Sequence, residues 1–488
     1  MRRATLGRGP WMESNAVSSR RAIKLPSLAA ALSLAASASA QQVELPHPPQ
    51  VPPSELGAAS PPRDRFTLSA RSETYVQLFR RALLPGPGGS AVTADLASPF
   101  TQYLFVQARD VDAPWQRDAV DLELSAWGQL WPTSSGFERP FDGDVQTANV
   151  AVRAGPVTLR LGRQLVAGGA ARFSRFDGLG ATAASGGLYL TAYGGWAVLP
   201  RWDQRIGYHQ LGKAERELLM DQQVSLSRAE HWLSGARLGY DRGPFSASAS
   251  FHEQHEAGGL QRRNLGADAG VALGERVDAA GSVLLELDER KLAEARLWLD
   301  LRLLDTLSAT LEGLRTKPAL LLSRQSVFSV FSTGRYDEVG GFARWQALPW
   351  LGFDASGYVE VYESGRPGAR TEGTARFEVG GTRRTLVRLA YGRVLVENTG
   401  YHSVRGSLSR AFDERLRATL EAYGYLYDAP IQGYRASSVY SGTLGYQLSE
   451  PFELLWGASV LRSPFARFDA QTLLRVSCTL DAASGRRR

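Results

Sequence analysis

The amino-acid sequence predicts an all-β protein, a single large antiparallel transmembrane β-barrel of about 18–22 strands. Three observations predict this fold class. Apolar and polar residues alternate with a period of two along most of the chain beyond residue 65, short and long connectors follow one another in the second half, and an export signal precedes both. A period of two places the two residue types on opposite faces of a strand, as a barrel in a membrane requires.

The first 40 residues read as a secretory signal peptide, with Met12 as an alternative initiator. A basic segment at 20–24 precedes a short apolar run at 25–36, and small residues at 38–40 form a cleavage site. The apolar run is shorter than the roughly 18 residues that a transmembrane helix needs. The sequence therefore predicts export across the inner membrane.

The segment 41–65 is rich in proline and poor in bulky apolar residues, so we expect a semi-rigid periplasmic linker. Regular structure is expected from Phe66, with the barrel over 66–480 and a short C-terminal tail at 481–488. The linker offers a segment through which a periplasmic export or machine partner can bind.

Composition excludes several classes of protein. The formal charge is +7, and nearly all the positive charge is arginine. No basic run with interleaved aromatic residues marks a nucleic-acid interface, so no nucleic-acid partner is expected. Cys478 is the single cysteine, which excludes an intrachain disulfide and a cysteine-cluster zinc site. Arginine spread along the whole chain suits a surface that faces anions.

The stretch 414–428 shows how the strands are recognised. Read as a helix, Leu416, Leu420 and Tyr423 fall on one apolar stripe. Read as a strand, the even positions are apolar and the odd positions carry charge and tyrosine. The second pattern recurs through the chain, so the period of two decides the interpretation. Stretches with this pattern are 117–131, 156–164, 186–199, 230–240, 245–254, 294–303, 350–363, 384–397, 414–428, 437–448, 452–461 and 469–480.

Tight connectors and longer polar connectors alternate in the second half of the chain, as short periplasmic turns and longer outside loops do in outer-membrane barrels. The strand directions disagree once, between the strands that end near Leu199 and begin near Glu230. One further crossing, over 203–211, restores the alternation and brings the count to an even number, about 22.

A soluble all-β sandwich or propeller is the alternative architecture. No repeat of blade length is visible, and the polar faces carry opposite charges and tyrosine on strand after strand. Aromatic residues also gather near strand ends, as in the girdles of membrane barrels. These features favour a wet interior and a lipid-facing exterior.

The segment 159–179 resembles large outer-membrane porins of the alginate-export type, in which a Leu-Gly-Arg-Gln strand end precedes an outside loop and an Asp-Gly strand start. The resemblance implies a wide barrel that exports an anionic polysaccharide through an arginine-lined lumen. The matching residues are Leu161, Gly162, Arg163, Gln164, Asp177 and Gly178.

The polar faces supply the candidate lumen residues. Arginine offers a permanently charged fork for carboxylates or phosphates, and tyrosine offers a surface for sugars. The alternatives are that arginine and acid residues merely pair across strands, and that the tyrosines belong to a girdle. The candidates are Arg296, Arg302, Asp300, Asp354, Tyr358, Glu360, Arg376, Arg388, Arg415, Arg417, Glu421, Tyr423 and Tyr425.

The connector 317–341 is apolar in its middle. It either extends the flanking strands or folds inward as a constriction, and we favour the constriction. Catalytic, metal and cofactor sites are not predicted. His252 and His255 lack the spacing of a helical zinc motif and would face opposite ways on a strand, as would His402 and Ser403.

The sequence therefore predicts a channel in the outer membrane of a Gram-negative bacterium, for export of an anionic surface polysaccharide or for passage of anionic solutes. The alternative is a structural barrel that anchors a secretion or motility machine. Expected partners are outer-membrane lipid, polysaccharide, and a periplasmic protein that binds 41–65. The oligomeric state is left open.

Overall fold

The computed structural model describes residues 65–82, 94–112, 119–132, 141–198, 231–256, 259–317, 334–380, 385–396, 399–431, 433–464 and 468–485. Strands make up nearly all of this part of the chain, and no helix in it is long and apolar enough to cross a membrane. The predicted signal peptide and nearly all of the predicted linker lie outside the described residues. The strands are β1 (Arg65–Ala82), β2 (Ala94–Ala97), β3 (Phe100–Asp112), β4 (Ala119–Leu130), β5 (Phe141–Ala154), β6 (Val157–Gly168), β7 (Arg172–Ser185), β8 (Leu188–Ala197), β9 (Trp232–Arg242), β10 (Phe245–Glu256), β11 (Gly259–Leu273), β12 (Val277–Glu286), β13 (Lys291–Leu304), β14 (Leu307–Thr316), β15 (Tyr336–Leu348), β16 (Leu351–Tyr362), β17 (Pro367–Val379), β18 (Thr385–Val396), β19 (Thr399–Ala411), β20 (Leu416–Ile431), β21 (Tyr434–Gln447), β22 (Phe452–Arg462) and β23 (Asp469–Gly485).

The strands close into one antiparallel barrel. Each strand from β3 to β22 pairs with the next one along the chain, and β1 pairs with β23 from the Arg65 and Gly485 pair onward. β2 and β3 lie end to end against β1, interrupted at Pro99, which has no N–H to donate to a ladder. Counting these two as one wall strand, the 23 strand elements of the described residues give a 22-stranded barrel. The predicted fold class and strand range are confirmed.

The connectors at the end of the barrel where β1 begins and β23 ends are all short, whereas the longest connectors, those after β8 and β14, lie at the opposite end. Gly186 and Gly187 between β7 and β8 have φ angles of 62° and 94°, which suits a two-residue hairpin turn. Short turns at one end identify that end as periplasmic. β23 runs to Gly485, five residues beyond the predicted end of the barrel.

β8 pairs directly with β9, from Leu188 opposite Tyr240 to Trp196 opposite Trp232. The prediction of an additional wall strand between them, at 203–211, is therefore wrong. Residues 203–211 themselves lie outside the described residues. The long connector carries the chain from the top of β8 to the top of β9, so the strand directions already alternate without another crossing.

One face of the wall is apolar and exposed. On β20, Leu420 and Leu426 are 59% and 55% exposed, whereas the intervening Glu421 is half-buried. Strand after strand repeats this arrangement, and only lipid can cover so much apolar surface on a closed barrel. An even number of antiparallel strands with an apolar outer band is the architecture of outer-membrane barrels, and it places the chain in the outer membrane of a Gram-negative bacterium.

The limits of the lipid band are visible on the outward face. Trp345, Trp350 and Phe452 lie near the periplasmic turns, 43–48% exposed, as expected of an aromatic girdle. At the other end, Asp428 follows Leu426 on β20 and forms a two-bond ion pair with Arg393 at 2.6 and 2.8 Å. From Leu416 to Leu426, a strand tilted by about 40° rises about 25 Å, which matches the apolar band of such barrels.

Candidate functional site in the barrel lumen

The sequence-predicted lumen residues lie on the inward face of the wall, with one exception. Arg415 lies in the turn before β20, where its backbone N–H donates to the Asp413 carboxylate at 2.7 Å. The others alternate with exposed apolar residues of the outward face. They are Arg296, Asp300 and Arg302 on β13, Asp354, Tyr358 and Glu360 on β16, Arg376 on β17, Arg388 on β18, and Arg417, Glu421, Tyr423 and Tyr425 on β20.

A group of three arginines and one aspartate lies in the periplasmic half of β15–β18. Arg344 Nε donates to Asp354 Oδ1 at 3.1 Å, and Arg376 Nε lies 2.8 Å from Asp354 Oδ2. Arg388 is opposite Arg376 across the β17 and β18 pair. The guanidinium groups of Arg344 and Arg376 share the carboxylate of Asp354, so this group of residues carries excess positive charge. The next inward residue on β17, toward the periplasmic turn, is Glu378.

Arg388 is exposed within the lumen, and among the described residues it has no hydrogen-bond or ion-pair partner. Arginine keeps its positive charge at every physiological pH, and a guanidinium group can form two parallel hydrogen bonds with a carboxylate or phosphate. The sequence reasoning identified Arg376 and Arg388 but missed Arg344, although Arg344 has the parity of the polar face of β15.

A second group, in the outer half of β14–β17, is acidic. The Arg370 Nη2 atom donates to both Glu338 oxygens at 3.0 and 3.1 Å, and its guanidinium carbon lies 4.1 Å from the centre of the Tyr358 ring. Tyr358 Oη donates to Glu312 at 3.4 Å, and Glu360 accepts a close hydrogen bond from Tyr362. Three glutamates lie around one arginine, so the outer group is negative, whereas the periplasmic group described above is positive. The charge of this sector of the wall therefore changes sign from the periplasmic end to the outer end.

Arg417 and Arg475 share Glu453 on the neighbouring sector of the wall. Arg417 makes a close ion pair with Glu453, and Arg475 Nη2 lies 3.2 Å from the other oxygen. Arg475 is 3% exposed, whereas the Arg417 side chain is 40% exposed. Arg417 therefore keeps part of its surface in the lumen while Arg475 is built into the wall.

The tyrosines of β20 lie inside the barrel. Tyr425 packs edge-on against Tyr401 at 5.7 Å between ring centres, and Tyr427 Oη and Ser437 Oγ are 2.7 Å apart. Tyr423 shares their face, because it alternates with the exposed Leu420 and Leu426. These rings line the lumen wall and are not part of the lipid girdle.

The connector between β6 and β7, residues 168–172, folds into the barrel, and we refer to it as the inward turn. Ala170 is fully buried, its N–H donates to Ser250 Oγ at 2.8 Å, and its carbonyl accepts from Asn264 Nδ2 at 3.1 Å. Arg172 makes a close ion pair with Glu294 on β13. Five residues thus cover part of the inner wall of β10–β13.

Gly169 explains why the turn can approach the wall so closely. It has a φ of 54°, and a Cβ built there would lie 2.5 Å from Ser250 Oγ. Below the turn, Phe176 is fully buried in an apolar cluster with Tyr193 and Leu233. The inward turn therefore has a core of its own inside the barrel.

The two histidines at 252 and 255 face opposite sides of β10, as the strand interpretation predicts. His252 is fully buried under the inward turn, with Nδ1 3.1 Å from Tyr193 Oη, whereas His255 stacks on Trp232 at 4.1 Å between ring centres. Tyr391 Oη and His402 Nδ1 are 2.6 Å apart on the outward face. Within the described residues, no three potential metal ligands lie together.

The motif that resembles alginate-export porins is brought together on paired strands. Arg163 donates to both oxygens of Asp177 at 2.7 and 2.8 Å, and Gln164 Nε2 donates to the Gly178 carbonyl at 3.0 Å. Arg163 shares the face of Leu161, which is 64% exposed. The ion pair is therefore on the outward face, and the motif fastens β6 to β7 without lining the lumen. The connector 317–341, expected to constrict the lumen, falls mostly outside the described residues.

No protein-family model and no curated protein matches the chain. Solved structures with similarity include Acinetobacter baumannii OccAB4, 9% identical, with 86% of this chain and 98% of that chain covered and a TM-score of 0.41. Pseudomonas aeruginosa OccK9 (OpdG) is 13% identical, with coverage of 86% and 98% and a TM-score of 0.40. The outer membrane protein opdK of the same organism is 12% identical, with coverage of 86% and 99% and a TM-score of 0.39. Similarity at this level says nothing about what passes through this barrel, whose architecture rests on its own strand pairing.

Proposed function

We propose that this chain is an outer-membrane channel that passes small anionic solutes. The observation that carries the proposal is the position of Arg388, exposed inside the barrel beside Arg376 and without a partner among the described residues. A filled, inert barrel interior would pair its charges, because an unpaired buried charge is costly. A water-filled lumen removes that cost.

The size of the barrel supports a lumen. Barrels of 16 or more strands enclose more space than their inward side chains fill. The inner Arg344 side chain is 53% exposed and that of Arg417 is 40% exposed, so water reaches the wall at several points of the circumference.

The charge of the wall supports anions as cargo. Arg388 is directly opposite Arg376 across β17 and β18, and Arg376 is already paired with Asp354. A carboxylate or phosphate in the lumen can therefore pair with Arg388 while the charge of Arg376 adds to the attraction. Positive charge that lines a low-dielectric wall raises the local concentration of anions and their rate of entry. The acidic group near the outer end of the lumen would repel anions there, so entry of anions would be easier from the periplasmic end than from the outer end.

The inward turn supports small solutes over a long polysaccharide. A polymer must thread the whole lumen at once, whereas residues 168–172 occupy part of its cross-section beside β10–β13. We therefore prefer solutes the size of one carboxylate-bearing ring or sugar. Export of an anionic polysaccharide is the second candidate, since the same arginines would contact uronate groups.

Reversal potentials in planar bilayers test the proposal. The mature chain, residues 41–488, is expected to conduct and to prefer chloride over potassium in a potassium chloride gradient. Arg388→Gln should reduce that preference, while Arg242→Gln, an exposed arginine on the outward face of β9, should leave it unchanged. Cation preference, or a preference unaltered by Arg388→Gln, would contradict the proposed role. Long blockades by an oligouronate, absent with a monomeric uronate, would favour the polysaccharide.

A further inference from the structure

A groove of about 630 Å³ lies on the lipid-facing wall of β16–β19. Its floor is the outward face of β17, where Gly373 and Ala375 are small, and its sides are Phe353, Leu389 and Tyr391. The three side chains at the sides project from the wall, because they are large and 38–54% exposed. The groove is therefore a furrow between aromatic and aliphatic ridges in the wall that lipid contacts.

The floor has room for a further apolar group. A Cβ added at Gly373 would have no heavy atom within 4 Å. Lipid tails must fill such a furrow, because a void against hydrocarbon loses dispersion contacts on both sides. A chain that fits the furrow gains contact area over one that lies on a smooth wall.

The groove is in the periplasmic half of the lipid band. Phe353 follows the start of β16 by two residues, and Ala375 precedes the end of β17 by four residues. At about 2.5 Å of height per residue of a tilted strand, Ala375 lies about 10 Å above the turns, within the roughly 15 Å of one leaflet. The occupant is therefore a lipid whose head faces the periplasm.

An arginine lies where the head of such a lipid would be. Arg410 is near the periplasmic end of β19, exposed, and on the same outward face as Val404 and Leu408. Its guanidinium carbon is 5.5 Å from the centre of the Phe412 ring, and the described residues offer it no acidic partner. An arginine held at the membrane interface without a carboxylate is placed to bind a lipid phosphate.

We propose that one phospholipid of the periplasmic leaflet binds here, with an acyl chain in the groove along β17 and its phosphate on Arg410. The lengths agree. From Arg410 to Val404 the strand runs about 20 Å and rises about 15 Å, which is the depth of one leaflet. A phosphate supplies the negative charge that pairs with Arg410, whereas a second copy of this chain would present another apolar wall.

Native mass spectrometry of the barrel in a mild detergent tests the proposal with two probes. Dioleoyl phosphatidylglycerol carries the phosphate, and dioleoylglycerol carries the same chains without it. The wild-type protein is expected to retain one phosphatidylglycerol and to prefer it over dioleoylglycerol. Arg410→Gln should weaken retention about fivefold, the contribution of one arginine near a lipid surface. Gly373→Leu, which fills the floor, should weaken retention of both probes.

Arg242→Gln is the matched control, since Arg242 is also exposed on the outward face near a periplasmic turn, on β9 away from the groove. Equal retention of both probes by the wild type, or retention unchanged in Arg410→Gln and Gly373→Leu, would overturn the proposal. A dimer that Gly373→Leu dissociates would also overturn it, because a second copy would then occupy the groove. The groove lies outside the lumen, so both variants should keep wild-type conductance, which separates this proposal from the channel.

Discussion

The inward turn should limit the width of the lumen, and its attachment can be weakened at one residue. Arg172→Ala removes the ion pair with Glu294, while the hydrogen bonds of Ala170 to Ser250 and Asn264 remain. Glu294 is 7% exposed, so the substitution also leaves a buried carboxylate that hydrates when the turn opens. We expect a channel that visits a wider state.

The magnitude follows from the three contacts. The two neutral hydrogen bonds contribute about 1 kcal/mol each and the charged contact about 2 kcal/mol, and burial of Ala170 and Ala171 stabilises the closed turn further. Whatever the total, loss of about 2 kcal/mol raises the small open fraction about thirtyfold. Hydration of Glu294 adds to this, so a thirtyfold rise is about the least that the contacts predict.

Single-channel recording measures this directly. The Arg172→Ala channel should show brief openings to a larger conductance about thirty times as often as the wild type. Ser250→Ala removes one neutral bond and should raise their frequency only about fivefold. Records of both variants that match the wild type in conductance levels and frequencies would refute the idea that residues 168–172 narrow the lumen.

Three further predictions concern the wall, and urea unfolding of the barrel refolded in lipid measures each. Gly162→Ala should lower stability by about 1–3 kcal/mol, since Gly162 has a φ of 117° and a Cβ there would lie 2.3 Å from a backbone oxygen of β5; Gly155→Ala, in an open turn, should cost about 1 kcal/mol. Asp177→Asn should cost about 1–3 kcal/mol by weakening the two-bond pair with Arg163, and an unchanged midpoint would show that the pair is solvated. Phe176→Ala should cost about 3–5 kcal/mol, because Phe176 is fully buried under the inward turn, and a loss below 1 kcal/mol would contradict that packing.

Alternation within single strands made the wall predictable from sequence. On β20 the parity that exposes Leu420 places Arg417, Glu421 and Tyr423 on the opposite, inward face. Arg415 has the same parity but precedes the strand, and periodicity locates strand ends poorly. Parity also determines the face of the porin-like motif. Arg163 and Leu161 are two residues apart on β6, so their side chains share a face, and Leu161 is exposed on the outward side.

Contacts between residues far apart in the sequence leave no local pattern from which they can be predicted. Ala170 and Ser250 are 80 residues apart, and a connector of five residues is too short to show a period, so the inward turn was not predictable. The extra crossing at 203–211 was inferred from a disagreement of the strand directions read from the turns, but β8 and β9 pair directly and antiparallel. Turn signals in the sequence assigned one direction wrongly, whereas the strand pairing fixes every direction.

Cysteine accessibility on β18 tests the central claim, a wet lumen inside a lipid-facing wall. On a Cys478→Ser background, Arg388→Cys and Leu389→Cys change adjacent residues of opposite face, and Leu389 is 54% exposed on the outward side. In proteoliposomes, a charged, membrane-impermeant thiol reagent should modify the protein carrying Arg388→Cys, while the protein carrying Leu389→Cys should react only with a lipid-soluble maleimide. Equal reaction of both with the charged reagent, or protection at position 388 with reaction at 389, would contradict the account.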